Sequence, residues 1–331
     1  MNAVAPGKVI LSGEHSVVYG APAIALAVGE SIQARFSPDL SQHITLSTSD
    51  ADRFSIACDQ LAGLKQRLDL RYAEFEAGDR SVDQILDAPQ ELLLYALSHF
   101  PNLPSGTLST VSTLPTGAGM GSSAAAIAAT LVMAEELSAE PLTLTKRFSL
   151  VRYCERLQHG RGSAIDAAAV TYGGLVQVQN SEVTRLDCHL GQDWYRINTG
   201  RPQVSTGECV AAVRAAYEQS TIWSEFADIT GAIPTALNRP DRLIDLLQNN
   251  HRLLQNIGVV PEPVAGFIRQ LEQLGAAAKV SGAGAHQGDQ GGLVLAYLPD
   301  HCSRSEVDRL CRVYDYSITS LTEDRKGARS I

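Results

Sequence analysis

The chain has 331 residues, of which 44% are hydrophobic, and a formal net charge of −9. That apolar fraction supplies a sizeable core for one large domain or two ordinary ones, and the acidic balance with scattered Lys and Arg excludes an electrostatic footprint for DNA or RNA. No apolar run reaches membrane-spanning length, and "MNAVAPGKVILSGEH" lacks the basic-then-apolar order of a signal peptide, so neither membrane nor nucleic acid is an expected partner and a cytoplasmic protein is expected.

In chain order, "KVILSG" and "SIQARFS" read as strands, and "HITLSTS" alternates as a half-exposed strand does. "VDQILDAPQELLLYALSHF" is mostly helical, with a break or helix start at Pro89. "GTLSTVSTL" is another alternating strand that leads into a glycine loop. A helix then runs from Ser122 to about Ser138, and a second, "TLTKRFSLVRYCERLQ", ends at Gly160. The stretch 50–80 has no clear assignment; a mobile lid is one option there. After the strand in "YGGLVQVQ", the texture changes. "WYRINTGRPQVST" reads as strand, loop and helix start, and two long amphipathic helices follow, "PDRLIDLLQNNHRLLQNI" and "EPVAGFIRQLEQLG". "AAKVSGAGAHQGDQGGLVLAYLP" is strand, loop, strand; a last helix and strand come next, and "EDRKGARSI" is expected to be a solvated tail. This order gives two α+β layers with a boundary between about Asn180 and Ile197. The cysteines, Cys58, Cys154, Cys188, Cys209, Cys302 and Cys311, form no C-x-x-C pair. They read as reduced, small buried hydrophobes rather than a disulfide framework or a zinc site.

The most informative stretch is "LPTGAGMGSSAAAIAATLVMAEEL", from Leu114 to Leu137. A glycine-rich loop loses much conformational entropy on ordering, so placing one directly before a committed helix needs a reason. A helix N-terminus offers unpaired N–H groups and partial positive charge, and small residues before it let an anion approach the backbone. Ser122 or Ser123 can cap this helix, and one hydroxyl could bind a metal. The loop is not a Walker A motif, because no Lys follows the glycines. Nor is it the dinucleotide fingerprint, because Ser122 stands where the third Gly belongs. A tight turn with a Ser cap is the alternative to a phosphate cradle.

Two further segments share this character. "APGKVILSGEHSVVYG" (Ala5–Gly20) places Lys8 at the start of a strand, with Glu14 and His15 after a turn at Gly13. "KVSGAGAHQGDQGG" (Lys279–Gly292) is a second glycine-rich loop between strands. Each alone reads as an exposed lysine, a surface turn or a hairpin connection; two such loops flanked by strong secondary structure suggest one shared site. "APGKVILSGEHSVVYG", "LPTGAGMGSSAA" and "KVSGAGA" in this order resemble the motifs of the GHMP kinase superfamily. The G-E-H-x-V-V-Y-G form of the first is most similar to the mevalonate kinases. "ERLQHGRGSAIDAAAVTYGG" is similar to the family's segment carrying a catalytic aspartate, and "NTGRPQVSTGECVAAVR" resembles the start of its C-terminal domain.

The resemblance implies an α+β, two-domain fold. Residues 1–185 would form an ATP-binding domain like domain 2 of ribosomal protein S5, and residues 186–331 a ferredoxin-like C-terminal domain. It implies transfer of the ATP γ-phosphoryl group to a primary alcohol, mevalonate, with Mg²⁺. Such a transfer needs phosphate cradling, a metal, cationic charge stabilisation and alignment of the hydroxyl. By resemblance, Pro115, Gly117, Ala118, Gly119, Met120, Gly121, Ser122 and Ser123 hold the nucleotide, and Ser123 and Glu155 ligate Mg²⁺. Asp166 is the catalytic carboxylate. Lys8 lies beside it, lowering the pKa of the substrate hydroxyl. Lys8, Glu14, His15 and Thr206 line the substrate pocket.

The spacing is consistent with these roles. Gly160 and Gly162 interrupt any single helix through Glu155 and Asp166, so Glu155 belongs near the end of one helix and Asp166 in the first turn of the next. Ser163 to Asp166 is also an S-x-x-D pattern that could serve helix capping alone. The family's H-G-x-P-S-G-x-D-N appears here as "HGRGSAIDAAA", with Gly162 for Pro, Ala164 for Gly and Ala167 for Asn. Gln158 stands where an apolar residue facing substrate is usual, and "AHQGDQ" interrupts the third motif. A phosphomevalonate or sugar kinase is the alternative enzyme, and a non-catalytic nucleotide-binding relative the alternative of another class. A phosphorylated substrate needs further Arg or Lys, and the first motif supplies only Lys8; a dead relative would lack the Lys or the Asp. The oligomeric state is not encoded in any motif, and a homodimer stays open.

Overall fold

In a computed structural model, the protein is described at residues 1–47, 53–115 and 117–331. The nearly continuous apolar run at the N-terminus forms β1 (Asn2–Ser12), buried from Ala3 onward. Such a run, unlike an alternating one, suits a strand covered on both faces. It pairs antiparallel with β2 (Ala23–Pro38), and the large sheet continues in the order β12-β1-β2-β5-β3-β4. Here β3 is His43–Ser47, β4 Arg53–Ala57, β5 Gly106–Ser112 and β12 Arg329–Ser330. Strands β6 (Leu175–Gln179) and β7 (Glu182–Arg185) extend the sheet from the first residues of β2. The β3–β5 pair is parallel.

Five helices accompany this sheet: α1 (Leu61–Ala77), α2 (Glu91–Leu97), α3 (Ser122–Ser138), α4 (Leu144–His159) and α5 (Ala164–Tyr172). Helix α3 is at their centre, packed on β1, β2, α2, α4 and α5. Its alanines are the reason it fits there: Ala124, Ala125, Ala128 and Ala129 are fully buried, and small side chains let the surrounding backbones come close.

The second sheet has the order β11-β8-β10-β9, from β8 (Trp194–Asn198), β9 (Ala277–Ser281), β10 (Leu293–Tyr297) and β11 (Ser317–Ser320). Helices α6 (Thr206–Tyr217), α7 (Ile222–Ala236), α8 (Pro240–Asn256) and α9 (Glu262–Gln273) separate β8 from β9, and α10 (Arg304–Val313) separates β10 from β11. With α9 and α10, the four antiparallel strands make the β-α-β-β-α-β arrangement of ferredoxin-like domains. The two-residue side-chain period divides β10 between two cores. Val294 and Ala296 pack with Phe267, Ile268 and Val307 of α9 and α10, whereas Leu293, Leu295 and Tyr297 join the core of the first sheet.

One expectation is corrected here, and one unassigned stretch is resolved into elements. The C-terminal residues are not a solvated tail. Ala3 and Val4 pair with Ser330 and Arg329, Ala328 is buried, and Arg329 forms an ion pair with Asp324 at 2.9 Å. Backbone pairing to a sheet edge overrides the polar composition. The stretch 50–80, which had no assignment, contains a strand and a helix. Residues 50–52 lie outside the described residues, but Arg53–Ala57 pairs with β3, and α1 buries Leu61, Leu64 and Leu68. Helix α1 is further anchored by Asp69 to Arg156 at 2.9 Å and by the Tyr72 hydroxyl donating to the Gly160 carbonyl at 2.9 Å. The Arg156 guanidinium lies over the rings of Tyr72 and Tyr153, 4.0 and 3.9 Å from their centroids. Cys154, Cys209, Cys302 and Cys311 are buried, as expected, while Cys58 and Cys188 are half-buried against the core.

Candidate active site

Strand β5 delivers the chain into the glycine loop, and the loop ends at the first turn of α3. Gly117, Gly119 and Gly121 have φ of 71°, 69° and 71°, while Ala118 and Met120 between them do not share the positive φ. Alternation of positive and negative φ is the backbone pattern from which an anion nest is built. Gly121 is the residue before α3, and no side chain caps the helix. The expected cap by Ser122 or Ser123 is therefore not made, and the first-turn N–H groups are left for a ligand. Ser123 instead gives its hydroxyl hydrogen to Glu155 Oε1 at 2.6 Å, across from α4. Met120 and Ala118 are buried beneath the loop, and the Met120 carbonyl accepts from the Lys8 amide at 2.9 Å, fastening the loop to β1.

Lys8 is almost fully buried, and its ammonium lies 3.1 Å from Asp166 Oδ1. Asp166 is the third residue of α5, whose N-cap is Ser163. The Ser163 hydroxyl accepts from the Asp166 amide at 3.2 Å, so half of a capping box is formed. Its other half would return the Asp166 carboxylate to the Ser163 amide; the carboxylate points to Lys8 instead. That orientation favours chemistry over capping alone. Gly121 explains how the loop fits against the pair: a Cβ there would stand 3.0 Å from Lys8 Cγ and 3.9 Å from Asp166 Cβ.

Glu155 lies in α4, one helix before Asp166, as the spacing predicts. It is 1% exposed; burial first, then the Asp166 charge, raises its pKa from 4.5 to about 8. Its Oε2 is buried without a hydrogen-bond partner among the described residues. A hard cation beside Ser123 and Glu155 would satisfy that oxygen and remove the cost of ionising the group. No cluster of three His, Cys, Asp or Glu side chains suited to a metal occurs among the described residues. The donor set therefore fits a cation that takes few protein oxygens and completes its shell with water and phosphate, as Mg²⁺ does. The corner between α4 and α5 also accounts for Gly162: a Cβ there would lie 1.8 Å from the Arg152 carbonyl oxygen, leaving no room for the expected Pro.

Glu14 and His15 are placed differently from Lys8. Both are buried; Glu14 forms an ion pair with Lys279 of β9, and His15 Nε2 donates to the Ala283 carbonyl at 2.9 Å. Because that partner is a carbonyl, the proton sits on Nε2, and burial depresses the His15 pKa, leaving Nδ1 as an acceptor. Cys209, in the first turn of α6, donates its thiol to the same carbonyl at 3.1 Å. Thr206 opens that turn and is exposed. Gln158 is exposed in the last turn of α4. The structure thus brings Lys8, Gly121, Ser123, Glu155 and Asp166 into one cluster and ties Glu14 and His15 to the third glycine motif. It also shows two residues missed in the sequence. Lys279 had been only the first letter of a motif. Arg201 stands beside the glycine loop, with its Cδ 3.6 Å from a Cβ built on Gly117.

The sequence profile described as "GHMP kinases N terminal domain" matches residues 90–174, which span the glycine loop, Ser123, Glu155 and Asp166. The chain has the GHMP kinase fold. The Methanococcus jannaschii mevalonate kinase structure superposes with a TM-score of 0.80 over 100% of this chain and 98% of that one, at 18% identity. The structure of L. major mevalonate kinase in complex with R-mevalonate gives 0.71 over 99% and 97%, at 22% identity. In sequence, the chain is similar to the mevalonate kinase of Thermococcus sibiricus, 29% identical over 92% of this chain and 90% of that protein.

Proposed function

We propose that this protein transfers the γ-phosphoryl group of ATP to the primary hydroxyl of mevalonate. The observation that carries the reading is the Lys8–Asp166 pair, 3.1 Å apart, set against a glycine loop whose helix has no side-chain cap. Gly117 to Ser123 receive the phosphates on backbone N–H groups. An apolar cavity of about 120 Å³ formed by Leu46, Pro89, Leu93, Leu108 and their neighbours borders β5, the strand that runs into this loop, and supports placing the adenine there. Asp166 accepts or orients the proton of the substrate hydroxyl, and the Lys8 ammonium steadies the negative charge that develops on that oxygen. Ser123 and Glu155 would hold Mg²⁺, which neutralises phosphate charge when bound. His15, through Nδ1, and Thr206 face the rest of the alcohol.

Arg201 favours a second reading, in which the acceptor is itself phosphorylated, because it adds a cation beside the loop that the first motif alone did not provide. Coupled ADP release against a panel of alcohols separates the two. Mevalonate as the preferred acceptor supports the proposal; preference for phosphomevalonate or a sugar overturns it. At the coarser level, the chain is an ATP-dependent kinase of a small-molecule alcohol, and none of its described helices is long and apolar enough to cross a membrane.

A further inference from the structure

Lys279 and Ser281 are alternate residues of β9, so both project from the same side of the strand. Both reach across to β1. The Ser281 hydroxyl donates to the Ile10 carbonyl and accepts from the Ile10 amide, each at 2.9 Å. The Lys279 ammonium stands 3.5 Å from that same carbonyl and is paired with Glu14 Oε1. Lys279 is 0% exposed and Glu14 2%. Glu14 is the one carboxylate that pairs with Lys279 among the described residues, and the buried His251 of α8, kept neutral by burial first and then by the Lys279 charge, offers no competing anion. A buried ammonium and a buried carboxylate each carry a large desolvation cost, so each depends on the other to stay ionised.

Glu14 follows Lys8 by six residues, and the Lys8 charge acts on it, after that of Lys279. The Lys279 ammonium is 3.5 Å from the carbonyl of Ile10, two residues along β1 from Lys8, so both lysine–carboxylate pairs are built on one strand and its following turn, and Glu14 is the second carboxylate of that charged region. We propose that Lys279 is a positioning residue for phosphoryl transfer: by occupying Glu14, it leaves the Lys8 ammonium to Asp166. The third glycine motif then acts through its lysine on the charge arrangement at the reacting hydroxyl. The inference rests on the phosphotransfer reading above.

The test uses the full chain with Lys279→Met, which removes the charge and keeps the volume. The expected result is a fall in kcat of about tenfold or more per folded molecule, with KM for ATP within about twofold. The crystal structure of the variant is expected to show Lys8 Nζ turned from Asp166 toward Glu14. Adding Glu14→Gln removes the competing carboxylate, so kcat recovers relative to Lys279→Met. Ser281→Ala, which loses the other β9–β1 contact without changing charge, lowers Tm and keeps kcat. If Lys279→Met does not fold, Lys279→Gln, which can still hydrogen-bond Glu14, is expected to show the same loss. A folded variant with wild-type kcat, a double variant no faster than the single one, or Lys8 still on Asp166 in the variant structure overturns the inference. Failure of the wild-type protein to release ADP with mevalonate would instead overturn the function, and the crystallographic readout would still decide the partner of Lys8.

Discussion

Two lysine–carboxylate pairs each take one partner from the stretch Lys8 to Glu14 and differ in almost everything but composition. Lys8 and Asp166 are 3.1 Å apart, and the Asp166 side chain keeps 24% of its exposure. Lys279 and Glu14 are sealed, at 0% and 1% side-chain exposure. A partly open carboxylate can exchange a proton with a ligand that enters; a sealed one can only hold its partner. Accessibility, rather than residue type, separates a pair suited to chemistry from a pair suited to architecture.

The sharpest way to break this contrast is to neutralise one carboxylate of each pair. Asp166→Asn is expected to lower kcat by about 10²–10⁴-fold, the range of a lost general base, with little change in Tm or in ATP affinity measured by calorimetry. Glu14→Ala is expected to do the reverse in stability, costing about 3–5 kcal/mol in denaturant unfolding because it strands a buried ammonium. If Asp166→Asn keeps its turnover, the open pair is not the reacting one. A smaller effect is expected from Gly121→Ala. It forces a left-handed alanine, worth about 1–2 kcal/mol, and presses a methyl on Lys8, so kcat should fall while β1 remains folded by hydrogen exchange. Ser123→Ala is expected to raise the Mg²⁺ concentration needed for half-maximal rate by about tenfold; an unchanged requirement would remove Ser123 from the metal site.

The smallest effects sharpen the electrostatic side. Glu155 has a folded pKa of about 8 against 4.5 ordinarily, so the folded state keeps a proton that the unfolded chain has released between those values. Without metal, stability contributed by this group therefore falls as pH rises from about 4.5 to about 8. Glu155→Gln should flatten Tm over that window, and Mg²⁺ should offset the loss in the wild-type protein. His251 has the opposite sign. Burial lowers its pKa from 6.5 to about 4, so the unfolded chain binds the extra proton, and stability falls as pH falls through that range. His251→Leu should reduce this acid loss, as read by thermal melts from pH 6.5 to 4.

What could be read from the sequence follows the range of the interactions involved. Helix α3 was legible to the residue at both ends, because glycines and a long run of small apolar residues are local signals. The break between Glu155 and Asp166 was legible for the same reason, through Gly160, Gly162 and Ser163. Helix α1 was missed because only one narrow face, Leu61, Leu64 and Leu68, is apolar, and the helix is fixed by Asp69 and Tyr72 reaching residues in α4 and at its end. Strand β12 was missed because its partner lies at the far end of the chain. In the candidate site, Lys8 and Asp166 could be named from motifs. The pairing of Glu14 with Lys279, 265 residues away, left no local trace, nor did the approach of Arg201 to Gly117.

The chain passes between its two sheets twice, once from β7 to β8 and again from β11 to β12. Two separate tethers constrain rigid halves far more than one does. A single link would let them swivel like beads on a thread; a double link, with Leu293, Leu295 and Tyr297 set in the first sheet's core, resists twisting as well as separation. Any breathing motion that admits a ligand must therefore flex both crossings at once, and it works against the Ile10–Ser281 contacts that join β1 to β9.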